Sequence, residues 1–289
     1  MIKELRSQYP LRALCRVLSV SGSGYHAWRC REPSPRAVAR ARLEVATLAA
    51  HQRTRATYGA ARLQRELAAG GFRLSLGTVK RVRRELGLRC VQQQQRFRVA
   101  TTDSDHALAV APNLLAQDFR ARRPDEVWTA DIRYVPTEEG WLYVAALKDL
   151  CAGEIVGRSF GERMTTDLVL RAFGQAVAAR RPVPGLLHHS DRGSQYCSHE
   201  YQELLASDGM RVSLSRKGNC YDNAPIESFW GRLKTELVHH RRSRTREEAA
   251  REIAEYIDLF DNRQRRQARL GYLSPAAYPQ QFTRQQRAA

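Results

Sequence analysis

Apolar residues recur with helical spacing at Leu11, Leu14, Val17 and Leu18, stop at the polar stretch SGSG, and resume at Tyr25 and Trp28. Helix, tight polar turn, helix is the pattern of a helix-turn-helix unit, although many helical hairpins share it. Pro33 and Pro35 end that unit. Between Leu43 and Leu88 the spacing returns: Ala60, Leu63 and Leu67 mark one helix, stopped by Gly70-Gly71. Ser75 then offers an N-cap for TVKRVRREL, whose Val79, Val82 and Leu86 share a face. Lys80, Arg81, Arg83 and Arg84 occupy the rest of its circumference, suited either to a DNA groove or to plain solvation. Residues 91–124 are polar and read as a linker, with Leu114, Leu115 and Phe119 placed to pack onto the next domain.

From Glu126 the period changes. VWTADIRYV alternates, TEEG turns, and WLYVAALKDL and EIVGRSF supply two more strands of an antiparallel meander. A helix is expected from about Thr165 to Arg180. GLLHHS comes next as a short strand whose apolar start implies burial on both faces. HEYQELLASDG reads as a helix, MRVSLS as a fifth strand, and a long helix starts near Ala224 or Pro225. Another covers about Arg246 to Phe260. The order β-β-β-α-β-α-β-α makes an α/β domain with a mixed sheet. The expected divisions are 1–35, 40–90, the linker 91–124, a core at 125–240 and a C-terminal helix and tail at 241–289.

Charge sharpens this outline. The chain of 289 residues carries a net +18. Residues 1–124 hold 24 Lys+Arg against 8 Asp+Glu, whereas residues 125–289 hold 24 against 22. A basic half joined to a near-neutral half points to one part that grips a polyanion and one that does something else. Six scattered cysteines contain no Cys-x-x-Cys pair, which argues against zinc and for reduced thiols in the cytoplasm. No membrane-spanning apolar run or secretory leader is visible. SGSG is no phosphate loop and no Walker lysine follows it, so no nucleotide cofactor is implied. Ser194 lacks the G-x-S-x-G elbow of a hydrolase nucleophile.

Three acids stand at telling places: Asp131 in the first strand, Asp191 at the end of the fourth, and Glu227 in the first turns of the helix after the fifth. Taken singly, each has a plainer reading as an exposed strand residue, a turn residue and a surface helix residue. Brought together at one sheet edge, they would repel unless a cation neutralised them. An all-oxygen set suits Mg²⁺ or Mn²⁺, and two such ions serve in-line displacement at phosphorus. His188 and His189 beside Asp191 read better as neutral structural groups than as ligands. Trp128, Trp141 and Trp230 read as core, with Trp230 also near enough to Glu227 to face DNA.

WTADIRYV, HSDRGSQY and NAPIESFWGRLKTEL, in that order and spacing, resemble bacterial insertion-sequence transposases of the IS-three family, in particular their catalytic second-reading-frame product. YGAARLQRELAAGGFRLSLGTVKRVRRELGL resembles the helix-turn-helix segment before the core, and RLGYLSPAAY resembles the family's ending. The resemblance implies a ribonuclease H-like integrase core and makes Asp131, Asp191 and Glu227 the metal-binding catalytic triad. It implies that Lys234, two helical turns beyond Glu227, contacts DNA near the cleaved bond; a salt bridge with Glu227 or Glu236 is the plainer role. Arg216 and Lys217, in the basic loop before the catalytic helix, are expected to touch DNA or merely solvent. The implied reaction is metal-dependent cleavage of element ends and their joining to target DNA. The implied partners are double-stranded DNA, further copies of the chain and an upstream-reading-frame protein. A metal-dependent nuclease and a non-catalytic DNA-binding relic remain the rivals. The chain departs from the family pattern at Ala152 and Gly153, where a Ser-Arg pair is usual, at Asp261 for Tyr, and at Gln267 for His.

Overall fold

The computed structural model describes residues 2–91 and 108–288, so the polar stretch 92–107 of the expected linker lies outside the described residues. Helices α1 (Ile2–Leu5), α2 (Leu11–Val17) and α3 (Gly22–Cys30) form the first helical unit. The SGSG stretch belongs largely to α3: Ser21 is its N-cap and accepts the Gly24 N–H at 2.9 Å. Tyr25 is buried, but Trp28 is 60% exposed, so the expected stripe is half realised. Pro35 opens α4 (Pro35–Arg53), where its missing N–H does no harm, and Ser34 caps it.

Helix α5 (Ala60–Ala69), the Gly70-Gly71 turn and α6 (Leu76–Glu85) come next, with Ser75 capping α6 as expected. Leu63, Leu67 and Val79 close a small core with Ala50 of α4, and Val82 is buried as well. That core continues into the α/β domain. Tyr58 is fully buried there; its hydroxyl donates to Gln264 O at 3.0 Å and accepts the Arg266 N–H at 2.7 Å. Glu66 accepts from Arg266 Nε at 2.8 Å and from Arg53 at 2.9 Å.

The second half builds one five-stranded sheet in the order β3-β2-β1-β4-β5. Strands β1 (Val127–Thr137), β2 (Gly140–Asp149) and β3 (Ile155–Gly161) form the antiparallel meander. Helix α7 (Thr166–Arg180) then crosses to β4 (Leu187–Ser190), which runs parallel to β1. Short α8 (Ser194–Cys197) and α9 (His199–Ser207) lead to β5 (Arg211–Leu214), parallel to β4. Helices α10 (Ala224–Glu236) and α11 (Arg246–Glu255), a π-helical turn at Tyr256–Asp261, and α12 (Ala277–Ala288) complete the chain.

The period of two in β1 sorts its side chains between two cores. Trp128 and Ala130 join α7 and α9 on one face, with Phe173 and Tyr201. Thr129, Asp131, Arg133 and Val135 take the other face, where Ile226, Phe229, Trp230 and Leu233 of α10 pack. Gly157 in β3 allows α7 to approach closely, since a Cβ there would collide with the Ala172 carbonyl. Part of the expected linker is core: Leu115 is buried against Val127 and Leu150, and the Leu114 and Leu115 N–H groups donate to Ser213 Oγ.

Candidate active site

Strand β1 delivers Asp131 to the α10 face of the sheet, paired in register with Ala146 of β2. Asp191 comes directly after β4, and Gly193 N–H caps its Oδ1 at 2.9 Å. Glu227 lies in the first turn of α10. Because β4 runs parallel to β1, its C-terminal end lies beside Thr129 and Asp131, and Asn223, just before α10, bonds Ala130 O, so the end of β4 and the start of α10 meet at the same edge. Asp131 is 7% exposed, and its carboxyl is held well above the usual range. Burial is the main cause; the negative charge of Asp191 adds to it, Arg133 opposes it, and Glu227 adds further. The three acids therefore share one electrostatic neighbourhood.

Arg133 is the basic group of that neighbourhood. Two residues after Asp131, it points to the same face. Its guanidinium pairs with Glu227, and its Nε stands 3.7 Å from Asp131 Oδ2. Among the described residues no three His, Cys, Asp or Glu side chains are gathered closely enough to form a metal site, and the Arg133 guanidinium bridges Asp131 and Glu227. The donor set nevertheless suits a hard cation. Asp131 Oδ2 is buried without a hydrogen bond, and it lies among like charges.

Two buried hydrogen bonds fix the start of α10. Asn223 Nδ2 donates to Ala130 O at 2.9 Å, and Lys148 Nζ donates to Pro225 O at 2.7 Å. The preceding loop is clasped at Asp222, which is wholly buried. It accepts from the Arg216 backbone and side chain, from Gln117 and from Asn113. Arg216 is thus committed to Asp222, while Lys217 stays exposed. Lys234 is half-buried, its ammonium 5.7 Å from the centroid of the Tyr134 ring. On α6, Lys80, Arg81 and Arg84 are exposed, but Arg83 turns inward, its Nη2 3.1 Å from Cys90 Sγ.

The histidines before Asp191 are structural. His189 bonds Ser213 Oγ at 2.8 Å and Ser215 Oγ at 3.1 Å; His188 bonds the Tyr201 hydroxyl at 2.9 Å. Burial pushes their pKa values down to about 4 and about 3, so both stay neutral. Trp128 and Trp230 are core, but Trp141 is 48% exposed, contrary to expectation. Arg133, Asn223 and Lys148 are site residues that the sequence did not single out. Only Arg133 carried a signal, its i+2 spacing from Asp131 on a strand.

The sheet falls within the chain's match to an integrase core domain model over residues 121–220, a second integrase core domain model matches residues 227–282, and α5 and α6 fall within its match to an HTH-like domain model over residues 39–96. It is 38% identical to transposase InsF for insertion sequence IS3A of Escherichia coli strain K12, over 96% of each chain. It is 51% identical to an insertion element IS600 uncharacterized 31 kDa protein of Shigella sonnei, over 93% of this chain and 98% of that one. Among solved structures it is similar to the HTLV-2 integrase catalytic core in complex with magnesium, with a TM-score of 0.44 and 16% identity over 55% of this chain and 99% of that one. The chain belongs to the IS3 family of insertion-sequence transposases, and it is a DNA transposase. Among its described residues no helix is long and apolar enough to cross a membrane.

Proposed function

We propose that Asp131, Asp191 and Glu227 are the catalytic carboxylates that cleave element ends and join them to target DNA. The observation that carries this reading is the buried carboxyl of Asp131, whose ionised form is disfavoured by burial and by the negative charges of Asp191 and Glu227, and whose Oδ2 has no hydrogen bond. The three acids would hold divalent cations, Mg²⁺ or Mn²⁺ and two in number, whose chemistry is to polarise the phosphoryl group and stabilise the attacking and leaving oxygens. The protein's own part is placement. The sheet fixes Asp131, the Gly193 N–H orients Asp191, and the Asn223 and Lys148 bonds hold the first turn of α10. Arg133 keeps Asp131 and Glu227 near one another despite their like charge.

The exposed Lys80, Arg81 and Arg84 of α6 would hold element-end DNA largely through phosphates. The packing of Tyr58 and Glu66 against residues 264–266 ties that module to the core. Two element ends require at least two copies at work together. Asp191→Asn is expected to keep DNA binding and to lose cleavage and joining of end-bearing oligonucleotides in Mg²⁺. Unchanged joining by that variant would overturn the assignment. Cleavage without joining by the wild type would make the chain a nuclease under these conditions.

A further inference from the structure

The far end of α10 carries a second surface. The β1–β2 hairpin projects Trp141 beside Pro136, its register partner, and leaves it 48% exposed. Its ring meets Tyr134 edge-on, with centroids 4.8 Å apart and planes at 89°. The Lys234 ammonium lies 5.7 Å from the centroid of that tyrosine ring. The hairpin tip also rests on the segment after α10: Glu138 N–H donates to Ser243 O, and Arg246 Nε donates to Trp141 O at 3.0 Å. That segment, HHRRSR, is strongly basic. Arg241 is paired with Glu252, whereas the exposed guanidinium groups of Arg242 and Arg244 have no ion pair among the described residues.

Trp141, half exposed, serves no core, and the charge around it is basic. Aromatic faces flanked by cations are how proteins hold unpaired nucleotides, the base stacking and the phosphates meeting the charges. Lys234 lies seven residues beyond Glu227 on one helix, roughly 10 Å along its axis, so the patch begins one to two nucleotides from the carboxylates. We propose that Trp141, braced by Tyr134, whose ring lies near Lys234, and set beside the basic segment that carries Arg242 and Arg244, stacks on an unpaired base of the DNA strand that leaves the active site. The placement relative to the cleaved bond rests on Glu227 being catalytic; the stacking itself does not.

The test uses the full chain with Trp28→Phe, which removes the other exposed tryptophan. Its probe is a duplex with a short single-stranded tail carrying 2-aminopurine. Binding is expected to quench the 2-aminopurine fluorescence. Trp141→Phe should keep the quench. Trp141→Leu should abolish it and weaken binding of tailed DNA about tenfold, while affinity for blunt duplex stays unchanged. A quench that survives Trp141→Leu overturns the proposal, and so does an equal loss of affinity for tailed and blunt DNA. Thermal melting of each variant separates these outcomes from misfolding. Asp191→Asn should quench like the wild type; if it also cleaves DNA, the catalytic reading fails while the stacking site stands.

Discussion

Lys148 is 7% exposed, and its ammonium donates a hydrogen bond to the Pro225 carbonyl. Burial and the positive charge of Arg232 drive its pKa down to about 7, with Arg269 acting the same way and Asp261 and Asp149 opposing. Against the 10.5 of an ordinary lysine, this amounts to roughly 5 kcal/mol disfavouring the buried ammonium. Lys148→Met keeps the volume and removes the charge, while losing a hydrogen bond that contributes about 1–1.5 kcal/mol. The variant should therefore be more stable than the wild type at pH 6, by about 3 kcal/mol. The sign of the pH dependence comes from proton counting. Between about 7 and 10.5 the unfolded lysine is protonated and the folded one is not, so wild-type stability rises with pH across that window. Asp149, raised to about 6, titrates below it. The advantage of the variant should shrink by about 2.5 kcal/mol between pH 6.5 and 9, read from urea denaturation followed by tryptophan fluorescence. A stability difference that stays constant over this range would refute the reasoning. The same variant loosens the first turn of α10, so cleavage should fall even where stability rises.

Two other perturbations probe the same site. Arg133→Gln removes the cation between Asp131 and Glu227; half-saturation of cleavage by Mg²⁺ should fall about three- to tenfold, because the ion no longer competes with a guanidinium. A Mg²⁺ titration showing an equal or weaker requirement would count against that picture. Asp222→Asn should cost about 2–3 kcal/mol in melting experiments, because the clasp from Arg216, Gln117 and Asn113 loses its charge. The Arg216 hydrogen bond holds the Asp222 carboxyl below its usual pKa, so its stabilising effect is complete above the ordinary aspartate range and is lost as pH falls. The acid sensitivity of the wild type should be blunted in the variant.

The five strands were legible because their side chains alternate or run apolar, and the observed bounds fall within a residue or two of the expected ones. Asp131 and Glu227 were legible as elements of strand and helix. Their relation to Arg133 was not, because it depends on two elements meeting across the sheet. Lys148 is a lone cation in an apolar strand, and only the start of α10 supplies its partner. The Asp222 clasp joins residues more than a hundred positions apart, which no local period records. The family departures have local compensations. Gly153 has φ +71 and sits against Arg269, whose Nη1 donates to Cys151 O at 2.7 Å. Asp261 is buried against Arg265 Nε at 2.6 Å.

The uneven charge acquires a physical explanation from these contacts. In the core half, arginines serve as buttresses: Arg158 forks onto Asp258, Arg180 onto Asp125 and Glu154, and Arg265 onto Asp261, Glu236 and the Tyr256 hydroxyl. Each pairs with an acid of the same half, so the net charge there stays near zero. Residues 1–124 have few acids to offer, and Glu66 and Glu85 already serve Arg53, Arg266 and Arg40. The surplus cations of α6 consequently remain on the surface. Near-neutrality in one half and strong basicity in the other thus mark two placements of arginine, internal ion pairing that fixes carboxylates and helices, and an open basic surface whose planar guanidinium groups suit phosphate.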